Sequence, residues 1–288
     1  MAQKQAPHPR RKGSVVWATV LSWLSSLLLA LLALCLVVLM TICSASYMKE
    51  QVNRSDFSEA AYSYLYDNFI SYGASSGFSA DVMTAALSRD QITADMADSI
   101  TRLYQGDTAI DTRNAILNTT YDNLINDLNS RGVEVTSDVE SAVVVADACR
   151  LDYANYVTVP LASQLYTFIE KCSRVVPVAV AIMAVLCAVS LFVMLRLAGS
   201  SRYGVRCLTF AFTAAAALCA LAATIIFPAI HMEALSINPA SVKQLIVTYV
   251  QNLFGRFGLF AIIYGAVAVI LLALTITARS RMKRRQNI

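Results

Sequence analysis

Charge is missing from four long stretches of this 288-residue chain: no Asp, Glu, Lys, Arg or His occurs in 13–48, 175–195, 207–230 or 257–278. With 57% of the residues apolar and only 15% charged, a soluble enzyme is excluded, and so is intrinsic disorder. The same windows leave only Ser, Thr, Cys, Tyr and Trp as polar groups inside the spans. A proton relay or ion pathway of the chain's own is therefore disfavoured, since those need ionisable groups facing a cavity.

Histidine is almost absent. His8 and His231 are the only two, so a Ser-His or Cys-His nucleophile pair would have to be built on His231 alone. His231 with Glu233 supplies two metal ligands and no third at useful spacing. No glycine-rich stretch precedes a Lys-Ser or Lys-Thr, which excludes a P-loop. Residues 127–138 approach a calcium loop, but Arg131 takes a ligand position and Asp138 stands where the last Glu belongs; a helix ending at Gly132 explains them as well. The sequence thus offers no catalytic, metal or cofactor residue, and the expected cofactor is none.

What is present is hydrocarbon-matched length. Each window exceeds the roughly 20 residues that cross a core of about 30 Å, and without water the backbone must close its own bonds as a helix. The expected fold is an all-α membrane protein, with four transmembrane helices plus an extracytoplasmic helical bundle. The first window has twice the usual apolar length of a cleaved signal and reads as a retained anchor. The expected segments are a basic tail 1–14, span one 15–45, an external helical domain 46–174, span two 175–197, a turn 198–206, span three 207–230, an outer loop 231–256, span four 257–278 and a basic tail 279–288.

Sidedness follows from how bases and acids are distributed. Lys4, Arg10, Arg11 and Lys12 precede span one; Arg196, Arg202 and Arg206 lie between spans two and three; Arg279, Arg281, Lys283, Arg284 and Arg285 end the chain. No acid accompanies these twelve bases, and all 19 acids fall in 50–233. Short basic flanks stay cytoplasmic, so both termini and the middle turn are expected inside the cell, in the plasma membrane. The basic tails set topology and touch anionic lipid; nucleic acid is not an expected partner.

The segment 49–174 alternates helical stripes with stop signals. Tyr62, Leu65, Phe69 and Tyr72 predict one helix ending at Gly73; Ser88 and Gln91 form a capping box ahead of Ile92, Met96, Ile100 and Leu103, with Gly106 as terminator. Asp111 caps a third, striped by Leu117, Tyr121, Leu124 and Leu128. Ser137 and Glu140 open a fourth, with Val139, Val143 and Ala146 on its face, which runs into span two as one rod kinked at Pro160 and Pro177. Tyr62, Tyr64, Tyr66 and Tyr72 read as half-buried core with wet hydroxyls, a ligand cleft being the alternative.

Asn238-Pro239 suits the start of a further helix. Val242, Leu245, Ile246, Tyr249, Val250, Leu253 and Phe254 give it one apolar face, and Gly255 and Gly258 allow a bend into span four. It is expected to lie on the outer leaflet or dock beneath the bundle. Small residues at four-residue spacing, Ala184 with Ala188, Ala216 with Ala220 and Ala261 with Gly265, predict close packing among spans two, three and four, a dimer face being the alternative. Cys43 and Cys172 stand at corresponding outer ends of spans one and two and are candidates for a disulfide, free thiols being the alternative.

The stretch from Asp111-Thr112 through Leu117, Leu124 to Leu128, Arg131-Gly132-Val133-Glu134-Val135-Thr136, Cys149, Tyr153 and Pro160 resembles the external segment of uncharacterised bacterial multi-span integral membrane proteins. In those a helical extracytoplasmic domain follows the first span. The resemblance covers 62–177 and implies a bacterial envelope protein; it carries no activity to any residue.

These observations lead to a non-enzymatic envelope protein that binds, senses or scaffolds through its external helical domain. Its expected partners are the lipid bilayer and another membrane or envelope protein. Two alternatives stay open: an accessory membrane subunit of a transport or export complex, and an outer-face enzyme using carboxylates such as Asp95 and Asp98, three apart on one helix.

Overall fold

The computed structural model describes the backbone of residues 12–109, 113–133, 140–198, 201–226 and 240–286, and the side chains of 16–109, 113–133, 140–198, 203–225 and 242–277. The described residues are helical, with no strand among them, and four helical stretches are long and apolar enough to cross a membrane. The helices are α1 (Lys12–Thr41), α2 (Ala45–Arg54), α3 (Phe57–Ser76), α4 (Ala80–Thr84), α5 (Arg89–Gln105), α6 (Asn114–Ser130), α7 (Glu140–Val157), α8 (Ala162–Leu197), α9 (Ser201–Leu221) and α10 (Ala240–Gln286). A π-helical segment, Ala222–Ile226, continues α9.

The chain divides into two compact units. The first comprises Met1–Thr41, Ser173–His231 and Gln251–Ile288. In α1 a narrow stripe of Ala18, Ser22, Ser25, Ser26, Leu29, Ala33, Val37 and Thr41 is buried, while Trp17, Trp23, Leu24, Leu27 and Leu31 stay exposed. Small and hydroxylated residues at helical spacing thus form its packing face. Interhelical hydrogen bonds fix this face: Ser22 Oγ donates to Cys207 O at 2.6 Å, Ser25 and Ser190 hydroxyls meet at 2.7 Å, and Tyr264 Oη donates to Leu29 O at 3.1 Å. Span one is therefore an integral part of the cluster, which the expectation of a cluster of spans two to four omitted. In span two the buried face carries Met183, Cys187, Ser190 and Met194, and the predicted pair Ala184 and Ala188 is exposed.

The second unit comprises Ile42–Cys172 and Met232–Val250. Its core gathers one stripe from each helix: Leu65 and Phe69 from α3, Ile92, Met96, Ile100 and Leu103 from α5, Leu124 from α6, and Ala146, Cys149 and Tyr153 from α7. Fully burying each Leu, Ile, Met or Phe among them contributes roughly 1.5–3 kcal/mol relative to exposure. Leu245 of α10 joins the same core, with Val242 packed against it. The tyrosines pack as well: Tyr64 stacks on Tyr156 at 4.6 Å and Tyr47 meets Tyr249 edge-on at 5.5 Å.

Several local expectations are corrected. Helix α3 does not stop at Gly73 but continues to Ser76, where Gly77 takes the left-handed conformation, φ 76°. Gly73 is instead a packing position, where a Cβ would collide with Met83 Cγ. Ser88 caps α5 by its backbone conformation, but no capping box forms, because Gln91 Nε2 donates to Asp95 Oδ1 at 2.9 Å. Val143 of α7 is exposed, the buried face being Ala142, Val145, Ala146 and Cys149. The rod into span two is broken: α7 ends at Val157, and α8 starts at Ala162 after a turn holding Pro160 and Leu161, the latter at φ 55°. Pro160 removes a backbone donor there, whereas Pro177 is carried inside α8. Conversely, α10 runs through Gly255 and Gly258 as one helix. The Asp111 cap, Ser137, the Asn238-Pro239 start, His8, His231 and Glu233 lie outside the described residues.

Candidate functional site

The second unit contains a half-open pocket of 410 Å³ whose lining is almost wholly apolar. Four pieces of chain make it. Ile42 and Met48 come from the entry to α2, and Met96 and Tyr104 from α5. Val159, Pro160 and Leu161 are the turn after α7, followed on α8 by Leu165, Phe168 and Ile169; Val242, Leu245, Ile246 and Tyr249 complete the wall from α10. The α8 residues fall at i, i+3 and i+4 and the α10 residues at i, i+3, i+4 and i+7, so each helix presents one apolar face.

The volume lies within the range of small-molecule sites. Its apolar lining offers few of the two to four polar partners that an ordered water needs. The Tyr104 hydroxyl donates to Ile42 O at 2.8 Å. Burial, assisted by nearby Cys43, pushes the Tyr104 phenol up to about 12, so that wall is neutral at any physiological pH. Two apolar side chains at the site are unusually solvent-facing: Leu161 is 70% exposed and Phe168 52%. Leu161 also holds a left-handed backbone, a conformation that costs a residue with a side chain about 1–3 kcal/mol and concentrates at ligand sites.

The turn has a second, more polar side. A smaller pocket shares Val159, Pro160 and Leu161 with the first and is lined further by Thr108, Asn155, Thr158 and Ser163. Thr158 Oγ1 is buried without a hydrogen-bond partner, and a buried unsatisfied hydroxyl in a helical domain calls for a ligand or water to complete it. Apolar pocket, strained turn and hydroxyl-lined recess together form an amphipathic site around 158–169.

Elsewhere in the unit a buried ion pair joins α5 to the start of α6. Asp95 Oδ1 accepts from Arg113 Nη1 at 3.1 Å and Asp95 Oδ2 from Tyr153 Oη at 2.7 Å, while Arg113 Nη2 reaches Ser99 Oγ at 3.0 Å. Burial first, then the bond to Asp95, raises the Tyr153 phenol far above its ordinary value. Asp98, the second carboxylate of the suggested pair, is exposed on the same helix. No cluster of three His, Cys, Asp or Glu occurs among the described residues.

The remaining candidates are placed as follows. Cys43 and Cys172 are both half-buried free thiols of the second unit. Arg196 lies in the last turn of α8 with its guanidinium 5.2 Å from the Phe192 ring centre, and Arg206 is exposed on α9. Arg10 and Arg11 lie outside the described residues, as do the side chains of Lys12, Arg202, Arg279, Arg281, Lys283, Arg284 and Arg285. Sequence reasoning found the α10 wall of the pocket and missed the α8 wall. The spacing of Leu161, Leu165, Phe168 and Ile169 is there in the sequence, but reading the stretch as one rod into span two gave it no face of its own.

No family model, curated protein or solved structure matches this chain.

Proposed function

We propose that this chain is a multi-pass plasma-membrane protein whose helical domain, 46–174 with the amphipathic start of α10, lies outside the cytoplasm and binds a ligand without transforming it. The observation that carries this reading is the 410 Å³ apolar pocket, a site with shape and greasy walls and with no carboxylate in its lining. The orientation rests on the twelve acid-free bases of the tails and middle turn. A binding role asks only for differential affinity between states or partners, which a pocket at a turn between two helices supplies.

The test is direct. N-Phenyl-1-naphthylamine, an apolar dye bright only out of water, is titrated against the purified full chain in a mild detergent at a fixed dye-to-detergent ratio. Saturable fluorescence that Leu165→Trp abolishes, with helicity unchanged, supports the reading; fluorescence indifferent to that substitution refutes it. Sidedness is tested in cells with single cysteines: a membrane-impermeant maleimide should modify Ser130→Cys and spare Ser201→Cys.

A further inference from the structure

We infer that the pocket takes an acyl chain of a membrane phospholipid, its glycerol and ester groups being left to the hydroxyl-lined recess across the Val159–Leu161 turn. The inference deepens the proposed binding role and rests on it. Three observations point to a bilayer lipid. Two of the walls belong to helices that are themselves membrane spans by composition: α8 carries Leu165, Phe168 and Ile169 and continues into the charge-free window 175–195, and α10 carries Val242 to Tyr249 and continues into 257–278. Ile42 follows directly on Thr41, the last residue of the first apolar helix. At 1.5 Å per residue, Phe168 is about 10 Å along α8 from Val175 and Tyr249 about 12 Å along α10 from Phe257. Lining residues carried on the same helices as the apolar windows favour an acyl chain over a water-soluble ligand.

The chemistry of the two pockets matches the two ends of such a molecule. The larger offers methyl, methylene and aromatic surface, suited to a flexible hydrocarbon, and each methylene sequestered adds to affinity. Its neutral Tyr104 presents no charge to the chain. The smaller offers Thr108, Thr158, Ser163 and Asn155, donors of the kind that bond ester carbonyls and glycerol oxygens, and the buried Thr158 Oγ1 lacks a partner. Exposed Phe168 and Leu161 stand at the margin of the pocket, where they extend the apolar path outward.

The experiment uses the full chain reconstituted into vesicles of phosphatidylethanolamine and phosphatidylglycerol, doped with a phosphatidylglycerol bearing a diazirine near the end of one acyl chain. After illumination the modified peptides are mapped by mass spectrometry. The expected result is labelling on Leu161–Ile169 and Val242–Tyr249 that falls several-fold in Leu165→Trp, while labelling of the exposed α1 face around Trp23 to Leu31 stays constant as an internal standard. Phe168→Asp serves as the second variant, since an exposed position tolerates the change without unfolding; it should weaken labelling in the same peptides.

Pocket peptides unlabelled, or labelled equally in wild type and both variants, overturn the inference. Labelling by a diazirine fatty acid but not by the phospholipid overturns the bilayer lipid as source. Saturable dye binding with no phospholipid labelling sinks this inference alone and leaves the binding role standing. Failure of both probes on a helical, folded chain means that another part of the chain or a second copy fills the pocket, and both readings fall.

Discussion

Arg113 Nη1 lies 3.1 Å from Asp95 Oδ1, and the two side chains are only 9% and 14% exposed. The pair joins the start of α6 to the middle of α5, and Tyr153 ties it to α7. A buried ion pair is weak evidence for net stability, but removing one partner strands the other charge. Arg113→Met should therefore destabilise the domain by about 3–5 kcal/mol, read by denaturant unfolding in detergent. Adding Asp95→Asn to that variant should recover part of the loss by removing the stranded charge; no recovery would mean the arginine acts through packing alone.

Tyr104 makes stability depend on alkaline pH. Its phenol titrates near 12 in the fold against 10.0 unfolded, so the folded state favours the protonated form. The contribution is whole below pH 10 and is lost as pH rises from 10 through 12. The loss is on the order of 2–3 kcal/mol at about 1.4 kcal/mol per unit. Unfolding measured at pH 9, 10.5 and 12 should show this decline in the wild type and a smaller one in Tyr104→Phe. That variant should itself lose about 1 kcal/mol at neutral pH with the bond to Ile42.

Gly73 sits inside α3 where a Cβ would run into the Met83 side chain. An alanine there has the better helix propensity, by about 1 kcal/mol, yet its Cβ meets a fully buried side chain. The clash should dominate, and Gly73→Ala should lower stability by about 1–3 kcal/mol. The paired variant Gly73→Ala with Met83→Ala should lose less than the two singles summed, a coupling a double-mutant cycle would reveal.

The thiols should differ sharply in reactivity. Cys149 is fully buried, and burial, then the charge of Asp152, pushes it up to about 12, so maleimide at pH 8 should modify it only after unfolding. Cys43 and Cys172 are half-buried free thiols of the same unit. Under copper phenanthroline and oxygen, these two thiols should give up two electrons and two protons to form an intramolecular disulfide. Unreduced gels should show faster migration in the wild type and none in Cys172→Ser; equal mobility with both thiols still alkylatable would remove the idea.

Much of the helical plan was legible because it depends on local chemistry. Ile92, Met96, Ile100, Leu103 and the terminator Gly106 lie where their spacing placed them, since a stripe and a left-handed glycine need no tertiary context. What escaped depends on partners remote in the chain. Gly73 looks like a stop signal and is a contact with Met83; Gln91 looks like a capping residue and is drawn to Asp95. Ser22 and Ser25 in span one were read only as tolerated polar groups, yet their spacing with Ala18, Leu29 and Ala33 marks the packed face. The pocket was half visible: the α10 stripe stood out against its polar neighbours, while the α8 stripe was hidden by the assumption of an unbroken rod.

The serines of α1 also bear on biogenesis. Ser25 Oγ donates to Leu21 O and Ser26 Oγ to Trp23 O, so both protons are satisfied within α1 and Ser190 is left to donate to Ser25. As synthesis proceeds, α1 enters lipid before α8 and α9 exist, and these two hydroxyls need no substitute partner while it waits. Ser22 differs, because its acceptor is Cys207 O. One hydroxyl of the three thus favours capture of the third span, and the order of translation already suits the order in which the contacts can form.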